Sequence, residues 1–294
     1  MICPGNRKPG FAIFRYARRY DDDGADDALE TIDFSATGCR RHLWRRSFRL
    51  CPEREIGHGE RDRYRRRHRG AQLGESPEGI DLSRDGRLLA AASELANGVV
   101  VIDTGAGYAS WTLKVPGKHP EHAVFSPDRR WLYVSAEDGA QVDVIDVGRR
   151  TVVASVPVGR RPRGIAFTPD GATAWVACEL DGTLYPIDVA TRTPRKPVSV
   201  GPFSNGVVVA TSGAKVYVSS GRGARVDVVD VAEGRVSASI PVGQRPWNMA
   251  QTPDGRKLYV ANGRSGTASV IDTETGKRIA DIPVGELPWG VAIR

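Results

Sequence analysis

The chain has 294 residues, 40% hydrophobic and 26% charged, with 42 Lys and Arg against 35 Asp and Glu for a net charge of +7. No apolar run reaches the length of a membrane-spanning helix. The four cysteines show neither a C-x-x-C-H haem attachment nor zinc-ligand spacing, and no Walker loop or G-x-S-x-G elbow is present.

The positive charge is concentrated at one end. Residues 1–74 hold 17 Lys and Arg against 11 Asp and Glu, leaving 25 against 24 in the rest of the chain. Runs such as Arg65-Arg66-Arg67-His68-Arg69 have the charge of a nucleic-acid arm. They lack interleaved aromatics and any known module around them, so no nucleic-acid partner is expected. Residues 1–72 therefore read as an irregular basic segment, either a disordered tail or a stretch translated out of frame. With CGN arginine codons, a one-nucleotide shift lets Arg61–Gly70 encode V-T-V-I-D-A-A-T-G and Leu50–Glu55 encode Y-V-P-N-E. Shifted in the same way, Gly38–Leu50 becomes an Ala/Val/Gly stretch suited to a signal-peptide core. On that reading the protein is periplasmic or secreted, although the sequence as it stands has no convincing signal peptide.

From residue 73 onward the chain is a repeat of about 42 residues. Ile102-Asp103 recurs as Ile145-Asp146, Ile187-Asp188, Val229-Asp230 and Ile271-Asp272, at steps of 43, 42, 42 and 42. Each repeat predicts four short strands. In the last copy these start at Pro246, Lys257, Ala268 and Arg278, with Thr252-Pro253-Asp254-Gly255 and Thr273-Glu274-Thr275-Gly276 as turns. Ser126-Pro127-Asp128 and Thr168-Pro169-Asp170-Gly171 repeat the first turn, while Thr211-Ser212-Gly213 is a looser version. Repeats of this length and content predict an all-β propeller of four-stranded blades over residues 73–294. Five blades are recognisable, followed by Trp289–Ile293, which reads as an orphan first strand. With no ordered N-terminal partner for that strand, the ring is expected to be incomplete.

The Pro-Asp-Gly, Tyr259-Val260-Ala261-Asn262 and Val-Ile-Asp phrases resemble the YVTN family of β-propeller repeats. Pro162-Arg163-Gly164-Ile165 and Pro288-Trp289-Gly290-Val291 resemble the propellers associated with bacterial quinoprotein alcohol oxidation systems. The resemblance implies an exported, non-enzymatic propeller, and the leading reading is a protein- or ligand-binding or assembly module of the bacterial cell envelope that acts through its rim, accessory to quinoprotein-dependent oxidation.

Candidate site residues follow from the repeat. Connections into first strands lie at one mouth of a propeller channel, which collects His119, His122, Arg161, Arg163, Asn205, Arg245, Trp247, Asn248 and Trp289. The loops after second strands share that rim, with Glu94, Glu137, Asp138, Glu179 and Asp181 in three blades and Arg222, Arg225 and Arg264 in the other two. Such a rim can orient a polar partner by complementary fields. No catalytic residue, metal site or cofactor is assigned. The recurrent Asp103, Asp146, Asp188, Asp230 and Asp272 are read as turn caps, and Cys178 as a small buried residue. The alternative is a propeller enzyme or haem- or metal-binding domain (lactonase-, lyase- or nitrite-reductase-like), which requires His119, His122 and the arginines to converge on one group. Resequencing the start of the gene tests the frame: a one-base change that restores Y-V-P-N-E and V-I-D in register is expected, and an unchanged frame refutes the out-of-frame reading.

Overall fold

A computed structural model describes residues 11–15, 76–106 and 108–293. Cys3, Cys39, Cys51, the arginine run at 65–69 and the shifted phrases lie outside these residues. Strand β1 is Phe11–Arg15. The first blade follows as β2 (Pro77–Leu82), β3 (Leu88–Ser93), β4 (Gly98–Asp103) and β5 (Tyr108–Lys114). The second has β6 (Pro120–Phe125), β7 (Trp131–Ala136), β8 (Gln141–Asp146) and β9 (Thr151–Pro157). The third has β10 (Pro162–Phe167), β11 (Thr173–Cys178), β12 (Thr183–Asp188) and a divided outer strand, β13 (Thr193–Pro194) and β14 (Val198–Ser199). The fourth has β15 (Ser204–Val209), β16 (Lys215–Ser220), β17 (Arg225–Asp230) and β18 (Arg235–Pro241). The fifth has β19 (Pro246–Gln251), β20 (Lys257–Asn262), β21 (Thr267–Asp272) and β22 (Lys277–Pro283), and β23 (Pro288–Ile293) ends the described chain.

Each blade is an antiparallel meander, and the first strands of successive blades pack on one another around the axis. The apolar core lies between blades rather than within them. Leu132 and Val134 of the second blade close on Ala90, Ala92, Val99 and Val101 of the first, and equivalent layers follow between later blades. Strand β23 packs on the fifth blade and pairs with β1 in antiparallel register, Phe11 opposite Ile293 and Ile13 opposite Val291. The expectation of an irregular segment therefore fails at Phe11–Arg15, which supplies a strand to the orphan edge. Among the described residues this two-stranded sheet ends the arc, and the ring is not closed.

Proline content explains the divided outer strand. Pro186 sits in β12, and its carbonyl accepts from the Arg195 N–H on the outer side at 2.7 Å. In an antiparallel strand a residue's N–H and C=O face the same neighbour, so the donor that Pro186 lacks also faces outward. Pro194 and Pro197 then break the strand that would have needed it.

The turns work by side-chain capture. Thr168 Oγ1 donates to Asp170 at 2.6 Å and accepts from the Thr173 N–H, while Asp170 accepts from the Ala172 N–H. Ser83–Asp85, Ser126–Asp128 and Thr252–Asp254 repeat the relay. Each strand-ending aspartate caps the next turn, as when Asp103 Oδ1 accepts from Gly105 and Ala106 and Asp272 Oδ1 from Thr275. In the fourth blade Ala210 occupies the hydroxyl position and Ser212 the carboxylate position, so only a 3.3 Å bond from the Ala214 N–H to Ser212 Oγ remains of the relay there. Installing it with Ala210→Ser and Ser212→Asp together is expected to stabilise the protein by about 1 kcal/mol, read as a raised urea midpoint with unchanged slope.

Candidate functional site at the axial channel mouth

Three local features aim side chains at one mouth of the channel. The residue before each first strand (Ser76, His119, Arg161, Phe203, Arg245, Leu287) has φ between 44° and 58°, a left-handed conformation rare for residues with a Cβ. Its carbonyl is held in five blades by the N–H that follows the second strand: Glu94 to Ser76, Glu137 to His119, Glu179 to Arg161, Gly221 to Phe203 and Gly263 to Arg245, all at 2.8–2.9 Å. The first strand then carries a bulge near its start, between Pro162 and Ile165 in the third blade and at equivalent places in the others. A bulge breaks strict alternation and redirects side chains. Third, inner strands approach backbone to backbone. A Cβ on Gly164 would collide with the Asn205 carbonyl, and one on Gly206 would meet the Trp247 carbonyl at 2.5 Å.

The acidic rim residues Glu137 and Glu179 are answered by arginines of the first-strand connections, not by Arg222, Arg225 or Arg264. Glu179 has a side chain only 1% exposed and receives Arg163 Nε at 2.9 Å, Arg161 Nε at 3.5 Å and Arg245 Nη2 at 3.4 Å. Arg163 also pairs with Glu121 and lies 3.1 Å from Glu137, which in turn pairs with Arg161. Burial would disfavour the Arg163 charge, but Glu121, Glu179 and Glu137 together hold it more firmly protonated than usual. Glu121 behaves in the opposite sense to Glu137. Burial, then a hydrogen bond to Glu137, raises its pKa well above the usual carboxylate range, against the pull of Arg163. Burial also acts upward on Glu137, but the bond from Glu121 and the charges of Arg163 and Arg161 outweigh it and lower its pKa. The two coupled carboxyl groups are thus pushed apart, Glu121 upward and Glu137 downward.

The histidines separate. His119 is half exposed, with Nδ1 2.8 Å from Asp138 Oδ2. His122 turns to the axis, where its ring stacks on Trp289 of β23 at 6.0 Å and fills the space beside Gly79. Burial and then the Arg163 charge push its pKa down to about 4. The convergence of both histidines required by the alternative reading does not occur.

On the basic side, glycine replaces glutamate. Glu94, Glu137 and Glu179 in three blades become Gly221 and Gly263 in the next two. The missing Cβ at Gly263 is where the Trp247 indole lies (2.6 Å to Cζ3), and that at Gly221 leaves room for the Arg245 guanidinium at 3.4 Å. Arg222 and Arg245 both approach the Phe203 ring, at 3.8 and 5.6 Å, and Arg245 is 5.9 Å from the Trp247 centroid. Burial, then repulsion from Arg264, Arg163 and Arg222, lowers the pKa of Arg245 in spite of Glu179. Asn205 is buried on its inner strand, and Asn248 presents a buried Nδ2 with no hydrogen-bond partner.

Sequence reasoning placed Glu121 beside the histidines but missed its pairing with Arg163 and the central role of Glu179. It also missed Asp143 and Asp227, fully buried carboxylates that anchor the Gly117 and Gly201 N–H groups at 2.7 Å. Their recurrence in the phrase Val-Asp-Val before the strand-ending aspartate was the available signal. Cys178 is fully buried, and burial pushes its thiol up to about 12. Among the described residues, the carboxylates of Glu94, Glu121 and Glu137 lie within 4.8 Å of one another. The Arg163 guanidinium already pairs with Glu121 and Glu137 of this acidic group, which makes it a poor cation cage.

The family described as "Lactonase, 7-bladed beta-propeller" matches residues 148–281, less than half of the chain. No curated protein sequence matches it. Among solved structures, the hydrazine synthase of Kuenenia stuttgartiensis is similar at 25% identity and a TM-score of 0.65, covering 73% of this chain and 68% of that one. A functionally unknown protein from Desulfotomaculum acetoxidans is similar at 19% identity and a TM-score of 0.65, covering 74% of each chain. The fold is a β-propeller. No helix among the described residues is long and apolar enough to cross a membrane.

The lowered pKa of His122 has a pH consequence. The unfolded chain takes up this proton near pH 6.5 and the folded chain only near 4, so stability is present above 6.5 and falls as pH drops through that window. Discounted for partial exposure, the loss is about 1–2 kcal/mol. Urea unfolding of wild type and His122→Gln at pH 7 and pH 4.5 is expected to show the larger acid loss in wild type. The difference between the two proteins removes the opposite contribution of Glu121, which weakens as pH rises through its raised pKa.

Proposed function

We propose that the chain is a non-enzymatic binding propeller that takes a polar ligand or partner group at the mouth of its axial channel. The supporting observation is the convergence of Arg161 and Arg163, from the connection into the third blade, and Arg245, from the connection into the fifth, on the buried Glu179. Burying charge is expensive unless it is paired, and a channel needing only to be filled would be served by apolar side chains. Dense, perturbed charge in a concave position supports a functional reading. The resemblance of the repeats adds the setting to this proposal: the bacterial cell envelope, as an accessory to quinoprotein-dependent oxidation.

A second reading, lactone hydrolysis, is favoured by the lactonase-family match and by the Glu121–Glu137 pair, two carboxyl groups whose environments push their pKa values in opposite directions. The two readings part in experiment. Native mass spectrometry of the full chain against a pool of polar small molecules is expected to show one retained by wild type. Gly263→Glu, which places a carboxylate against Trp247, is expected to lose it while keeping the β-sheet circular dichroism spectrum. Retention by both proteins, or by neither, overturns the binding reading. Lactone turnover by wild type that drops at least 100-fold in Glu121→Gln establishes the enzyme instead.

A further inference from the structure

Charge across the mouth is uneven, and the imbalance specifies a ligand. On the side of the second and third blades the account closes. Arg161 and Arg163 face three carboxyl groups, Glu121, Glu137 and Glu179. On the side of the fourth and fifth blades it does not. Arg245 reaches only Glu179, which two other guanidiniums already share. Arg222 and Arg264 are exposed and have no carboxylate partner among the described residues, yet both lie near enough to Arg245 to lower its pKa. Three cations are thus held together with a fraction of one counter-charge.

This side is also shaped. Gly221 and Gly263 stand where other blades place glutamate, and both the acid and its Cβ are absent. Phe203 and Trp247 present aromatic surface beside the guanidiniums. Deeper at the axis, Asn248 offers its buried, unpartnered Nδ2 donor beside Gly206. A buried donor with no acceptor is costly, and an incoming oxygen would satisfy it. Guanidinium groups bind carboxylate and phosphate in fork geometry, and the rings suit an uncharged, flat body.

We infer that the mouth between the fourth and fifth blades is a subsite for a small organic anion. Its carboxylate or phosphate lies among Arg222, Arg245 and Arg264, and its ring or apolar body lies on Trp247 and Phe203. This rests on the reading of the mouth as a binding site and adds the ligand class. It also orients the ligand, because the balanced Glu121–Glu137–Arg163 side has no charge to offer an anion.

The test uses the full chain and four probes that differ in charge: benzoate, phenyl phosphate, benzyl alcohol and benzylamine. Binding is followed by tryptophan fluorescence and isothermal calorimetry at two salt concentrations. At least one anion is expected to bind, more weakly at high salt, with at least tenfold loss in Arg222→Ala/Arg264→Ala. Both substituted side chains are exposed, so folding is expected to survive, as circular dichroism checks. Trp247→Phe is expected to lose the fluorescence change and retain calorimetric binding. Preference for benzoate or for phenyl phosphate assigns the anion as carboxylate or phosphate. Equal binding of benzyl alcohol or benzylamine, binding indifferent to the double variant, or no binding by any probe overturns the subsite. The two failures are distinguishable. If the pool experiment yields a ligand that depends on Gly263 but not on Arg222 and Arg264, the anion subsite falls and the broader binding reading stands.

Discussion

The left-handed residue before each innermost strand is the constraint on which the mouth depends. Six times the chain adopts it at residues that carry a Cβ, and in five blades a backbone N–H from the end of the second strand secures the carbonyl. The conformation costs on the order of 1–2 kcal/mol per residue, which one hydrogen bond and a packed blade can offset. It turns the connection so that residues 161, 203 and 245 stand at the rim and their neighbours 163, 205 and 247 at the axis. Without that repeated reversal the arginines would have no common carboxylate.

Glycine placement then decides what each blade contributes. Where the inner strands touch backbone to backbone, Gly79, Gly164 and Gly206 permit the approach, while His122 and Asn248 occupy the corresponding position in other blades. At the end of the second strand, glutamate in three blades supplies charge and glycine in two supplies room. A single architecture thus yields one half of the mouth that neutralises itself and another that does not.

The blades were legible because their signals are periodic: turn residues, strand-ending aspartates and apolar alternation all recur at one spacing. The breaks in the pattern were harder to read. Pro186, Pro194 and Pro197 interrupt the third blade's outer strand, yet the repeat length there is unchanged. Phe11–Arg15 lies in a stretch whose basic composition pointed away from structure, although its own five residues suit a strand. Of the site, the position of each residue in the repeat was enough to bring Arg161, Arg163 and Arg245 to one mouth. It was not enough to foresee that one carboxylate would serve all three: Arg161 and Arg163 meet Glu179 through the β10–β11 pairing, but Arg245, 66 positions away, reaches it from the fifth blade. His119 and His122 show the reverse: nearness in sequence misled, since a bulge between Pro120 and His122 sends them in different directions.

The divided outer strand of the third blade bears on how this molecule behaves in a crowded solution. The second, fourth and fifth blades end in continuous seven-residue outer strands, each a row of outward-facing backbone groups onto which another chain could add. In the third blade that row shrinks to two pairs of residues separated by Arg195, Lys196 and Pro197. A cationic, proline-broken rim cannot template a neighbouring strand. Any self-association through blade edges is therefore directed to the other blades, and the third stays free to meet solvent or a partner through its side chains.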